Sequence, residues 1–141
     1  MERDRDRAHG GAAWPGRDWK GDGAGLGICA ASFGRADSVT LYIAGDTIWC
    51  GEVQDALREH RPAVVVVNAG AAQFLEGEPI TMTADDVIAT CQAARASKVV
   101  AVHMEAINHC LLTRADLGFQ LEAARVMESV VIPADGEGLE L

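Results

Sequence analysis

The chain is short of most features that would announce a common activity. Its four cysteines, Cys29, Cys50, Cys91 and Cys110, lie far apart and form no C-x-x-C pair. That spacing excludes a zinc ribbon and a dense disulfide framework, and it reads as small buried hydrophobes in a reducing compartment. No apolar run approaches the roughly 20 residues that a membrane-crossing helix needs. The charged start, Met1 to Arg7, lacks the apolar centre of a secretory signal, so a cytoplasmic protein is expected. Basic residues are scarce: 12 Lys and Arg against 21 Asp and Glu give a net charge of −9. Such a balance disfavours nucleic acid and anionic membranes as partners. There is no G-x-G-x-x-G after a strand and no G-x-x-x-x-G-K-[ST], so nucleotide binding lacks support. A serine-hydrolase elbow, G-x-S-x-G, is also missing.

What is present is a single-domain length, 141 residues, with 49% apolar residues to build a core. Residues 1–26 stand apart. They are rich in Gly and charge without a sustained hydrophobic period, and read as a long loop or frayed start. From residue 27 to 141 the pattern tightens into one α/β domain. Strands are expected over Ile28–Phe33 and Val39–Ile43, separated by the turn residues 34–37. Glu52–His60 reads as a helix with Val53, Ala56, Leu57 and His60 on one face. Pro62 ends it, and Ala63–Val67 is a β-branched run of the kind buried on both sides. Thr83 caps a second helix with Asp85 and Asp86 in its first turn and a stripe of Val87, Ile88, Cys91 and Ala94. Lys98–Val102 is a further strand. Thr113 caps a third helix lined by Leu117, Leu121 and Ala124, and Ser129–Ile132 closes as a short strand.

Strands alternating with helices imply a mixed β-sheet with helices on one face. The central strands are apolar on both faces. The other face therefore calls for a cover, either a second copy of the chain or a structure outside it.

Two strands end on residues of types that can bind a metal. Leu41–Gly45 runs into Asp46 and Thr47, and Lys98–Val102 runs into His103. A strand holds position while the following loop stays open to substrate, so such ends build active-site rims. Asp46 reads equally as a turn residue or as a carboxylate ligand for zinc, manganese or iron. His103 reads as a core histidine satisfied by its neighbours or as a ligand, and Glu105, Asn108 and His109 follow it within six positions. Taken alone, His9 reads as a surface residue and His60 as a charge complement at a helix C-terminus.

The ordered set of Leu41-Tyr42-Ile43-Ala44-Gly45-Asp46-Thr47, the strand ending Asn68-Ala69-Gly70, the segment Ile80–Asp86 and Val99–His103 resembles the metallo-β-lactamase superfamily. From residue 28 onward, the resemblance implies the C-terminal half of an αββα sandwich, in which two αβ halves turn their sheets toward each other. It further implies that Asp46 bridges two metal ions and that His103 is the last ligand of the second. Ala8-His9-Gly10 then takes the place of a third histidine motif, a ligand of the first ion. Thr47, Glu105, Asn108 and His109 would shape the substrate rim or support the ligands. The family's His-x-His-x-Asp-His motif, which supplies ligands to both metals, has no counterpart here. The expected function is thus the C-terminal portion of a metal-dependent hydrolase of esters, lactones or phosphoesters, impaired when isolated. The substrate that the resemblance implies is a small molecule, and the alternatives are a non-catalytic α/β interaction module or truncated gene product, and one half of a split hydrolase.

Overall fold

The computed structural model describes residues 28–31 and 39–140. Five strands form one sheet in the order β1-β2-β3-β4-β5: β1 Ile28–Ala31, β2 Thr40–Ile43, β3 Val64–Asn68, β4 Lys98–Val102 and β5 Val130–Val131. β1 pairs antiparallel with β2, and the other three pairings are parallel. Parallel neighbours need crossovers, and each crossover here carries one helix: α1 Gly51–His60, α2 Ala84–Ala93 and α3 Arg114–Ala123. Right-handed crossovers that always step the same way along a sheet put every helix on the same face. That is the arrangement seen.

Local chemistry sets the helix ends. The Thr83 hydroxyl accepts from Asp86 N at 3.3 Å while Thr83 N donates to the Asp86 carboxylate at 3.0 Å, a reciprocal capping box. Thr113 accepts from Asp116 N at 3.1 Å and so caps α3. α1 has no side-chain cap at its start; Arg61, at φ 42°, closes it in the left-handed conformation, its N–H bonding Leu57 O.

The core lies between sheet and helices. Tyr42, Val65, Val67, Val99, Ala101 and Val130 of the strands meet Val53 and Leu57 of α1, Val87 and Cys91 of α2, and Leu117 and Leu121 of α3. On α1 the expected face is narrower: Val53 and Leu57 are buried, Ala56 is half-buried, and His60 is exposed in the last turn. The last strand is shorter than expected, because a 3-10 turn over Met127–Ser129 takes up its first residue.

The alternate residues of the same strands point the other way. One register row runs Ile43, Val66, Val100, Val131, apolar across β2 to β5. None of these joins the helix-side core. Val100 has low exposure, yet Ile43 is 37% exposed and Val39, just before β2, is 50% exposed.

Candidate functional site

Because β2, β3 and β4 are adjacent and parallel, their C-terminal ends open on one edge of the sheet, where α/β proteins place ligands. Gly45, at φ 70°, turns the chain after β2 and delivers Asp46 there. Asn68 is the last residue of β3 and lies in register with Val102, so His103 stands one residue further along the neighbouring strand. The Asn68 side-chain amide donates to Asp46 Oδ1 at 2.6 Å and fixes the carboxylate across the β2–β3 boundary. Sequence reasoning placed Asn68 at the end of the valine strand and gave it no role at the site. Its partner is 22 positions away, and only the parallel pairing brings them together.

His103 sits in an unusual backbone state, φ 71°. Ala71 at φ 46° and Glu105 at φ 59° share it, so three of the left-handed non-glycine residues fall in the loops after β3 and β4. Such conformations cost about 1–3 kcal/mol each and persist where the surroundings hold them. Here the two loops are laced together: Leu112 N bonds Gly70 O at 3.0 Å, Gln73 N bonds His109 O at 3.0 Å, and Ala72 bridges Cys110. The Cys110 thiol lies 3.2 Å from the His103 carbonyl oxygen and 3.8 Å from the ring Nδ1.

The other predicted residues are dispersed. Thr47 is fully buried, its hydroxyl 3.3 Å from the Ile48 carbonyl, which puts it in the interior rather than on a rim. Glu105 is exposed and salt-bridged to Arg114 at 2.5 Å; the same guanidinium pairs with Asp135 and donates from Nε to Pro133 O. Hydrogen bonding to Glu105 raises the Arg114 pKa further, so this clamp stays charged. Asn108 is exposed, and the exposed His109 ring lies 6.2 Å from Phe74. His9 and the 1–26 segment fall outside the described residues. The cysteines divide: Cys91 is buried, and burial pushes its thiol pKa up, whereas Cys50 and Cys110 are only half-buried, which corrects the expectation of uniformly buried thiols.

Asp46 and His103 are donor types that suit zinc, manganese or iron, but a catalytic zinc takes three protein ligands and a water. Among the described residues no group of three His, Cys, Asp or Glu side chains is placed to hold an ion. The strands bearing Asp46 and His103 are also two spacings apart, about 10 Å. The donor chemistry fits and the donor number does not. A shallow depression of about 210 Å³, lined by Ala71, Thr83, Leu111 and Gln120 among others, includes neither residue.

No protein-family model matches the chain. It is 34% identical over 110 residues to the UPF0173 protein YddR of Bacillus subtilis (strain 168), covering 78% of this chain and 43% of that one. Among solved structures it resembles an isothiocyanate hydrolase from Delia radicum gut bacteria, with 38% identity, a TM-score of 0.74, and coverage of 82% of this chain and 43% of that one. A possible metal-dependent hydrolase from Veillonella parvula DSM 2008 shares 33% identity with a TM-score of 0.72, covering 79% and 42%. Igni18, a metallo hydrolase of Ignicoccus hospitalis KIN4/I, shares the fold at 21% identity and a TM-score of 0.56, covering 78% and 43%. The chain thus spans less than half the length of each of these relatives. With its sheet order, its helices on one face and these likenesses, the chain belongs to the metallo-β-lactamase superfamily and corresponds to the C-terminal half of that fold.

Proposed function

We propose that this chain supplies one wall of a metal-dependent hydrolase, with Asp46 and His103 as two of the metal ligands. The observation that carries this is the alignment of Asp46, Asn68 and His103 on one sheet edge in a chain 38% identical to an isothiocyanate hydrolase. Asn68 holds the Asp46 carboxylate in place, and His103 offers a ring nitrogen from the next strand but one. Zinc, manganese or iron, as two ions in a complete site, would lower the pKa of a bound water and polarise the substrate. An ester, lactone or phosphoester suits that chemistry, and the isothiocyanate hydrolase adds a heterocumulene carbon to the electrophiles of interest. The free thiols of Cys50, Cys91 and Cys110 favour a reducing cytoplasm.

The missing donors belong, in this reading, to the part of the relatives' length that this chain does not span. The apolar row on the helix-free face of the sheet is where that part would pack, whether on the same polypeptide or on another. A non-catalytic α/β module is the second reading, favoured by the absence of any three-donor cluster among the described residues.

Metal content separates the two. At micromolar zinc the chain alone should retain well under one ion and hydrolyse nothing. Addition of the N-terminal half of the isothiocyanate hydrolase as a separate chain should raise zinc retention, and His103→Ala or Asp46→Asn should abolish the gain. If that half neither binds nor restores metal, the hydrolase reading fails.

A further inference from the structure

His103 meets one sulfur at two points, and together they specify the form of its ring. Its carbonyl oxygen lies 3.2 Å from Cys110 Sγ, and its Nδ1 lies 3.8 Å from the same sulfur. A thiol has one hydrogen, and a carbonyl oxygen can only accept. The shorter contact therefore takes the S–H, and what the sulfur presents to Nδ1 is a lone pair. An unprotonated Nδ1 would set lone pair against lone pair; a protonated one makes a weak N–H···S bond. Gly70 leaves the room for this close approach. A Cβ there would stand 2.6 Å from the His103 carbonyl oxygen and 2.8 Å from Cys110 Sγ, so the space beside them admits no side chain. Leu112 N to Gly70 O at 3.0 Å and the Ala72–Cys110 bridge keep the cysteine loop pressed against that strand end.

We propose that Cys110 is a positioning residue that locks His103 in the Nδ1–H tautomer and leaves Nε2 as its accepting nitrogen. Metal-bound histidines commonly fix their tautomer through the nitrogen that does not bind, using a carboxylate, carbonyl or water. Here a thiol takes that place. It also steadies the left-handed backbone of His103 by bonding its carbonyl, so ring and backbone are set by one side chain. The value of a free Nε2 rests on His103 being a ligand; the tautomer itself does not.

The test is the ring nitrogen shifts of His103 in the ¹⁵N-labelled full chain, chelator-treated and held above the ordinary imidazole range, with His103→Gln for assignment. The wild type should show a protonated Nδ1 and a pyridine-like Nε2. Cys110→Ala should move His103 toward the Nε2–H form that free imidazole prefers, and Cys110→Ser, which can also donate and accept, should keep part of the Nδ1–H population. A wild-type His103 already in the Nε2–H form overturns the proposal without any variant. So does an unchanged Nδ1–H signal in Cys110→Ala with a native amide spectrum. Zinc retention in His103→Ala with the N-terminal half of the isothiocyanate hydrolase supplied is read separately: if the gain does not respond while the tautomer is as stated, the ligand assignment fails and the role of Cys110 stands.

Discussion

The two faces of this sheet are built from nearly the same residues and meet different surroundings. Toward the helices, Val65, Val67 and Val99 are fully buried among residues of α1, α2 and α3. Away from them, Ile43, Val66, Val100 and Val131 form an equally hydrophobic row outside the helix-side core, nearly buried at Val100 and 37% exposed at Ile43. Burial of a β-branched side chain is worth about 1.5–3 kcal/mol, so the chain places apolar residues on a face that lies outside its helix-side core. That asymmetry fits a half-domain. The helix-side core holds these residues together, and the opposite face is made for something the chain's own helices do not provide.

The comparison breaks most readily at the core face. Leu117 is fully buried between α3 and the sheet, and Leu117→Ala should cost about 2–5 kcal/mol through lost transfer energy and the cavity left behind. Urea unfolding followed by circular dichroism measures it. A cost below about 1 kcal/mol would mean that the helix layer is loosely packed and that both faces are equally dispensable.

A smaller effect tests how the layer is fastened. Thr83→Ala removes the hydroxyl that accepts from Asp86 N, and the reciprocal bond from Thr83 N to Asp86 loses its setting. About 0.5–2 kcal/mol should be lost in the same assay. Asp86→Asn, which keeps an acceptor but drops the charge near the helix N-terminus, should fall between the two.

How much of this was legible in the residues depends on whether each signal is local. The Val64–Val67 run, the Thr83 and Thr113 caps and the Lys98–Val102 strand are properties of short windows, and they fall within a residue or so of expectation. The places of Asp46 and His103 just past strand ends were legible because each closes an apolar run. Asn68 and Cys110 were not, because what makes them matter is parallel pairing in one case and a loop folding back on a strand end in the other. The burial of Thr47 was not legible for the same reason: nothing in Gly45-Asp46-Thr47 says which of two adjacent polar side chains turns inward. The positive φ of His103 has no sequence signal either, since a glycine would mark such a position and a histidine does not.

The smallest expected effect is the one that most sharpens the contrast between faces. Ile43→Thr keeps the β-branch and replaces an apolar terminus with a hydroxyl on the helix-free side. In the chain by itself it should change stability by only about 0.5 kcal/mol, as surface substitutions do. Val67→Thr, the same kind of change on the helix side, buries an unsatisfied hydroxyl and should cost about 1–3 kcal/mol. The ratio between the two is the readout, because errors in the unfolded reference state largely cancel between matched substitutions. If Ile43→Thr proves as costly as Val67→Thr at low concentration, something within this chain already covers the second face. If its cost grows with protein concentration, the cover is a second copy. A cost that stays small in the chain alone and appears only when the other half of the fold is supplied places that half on this face.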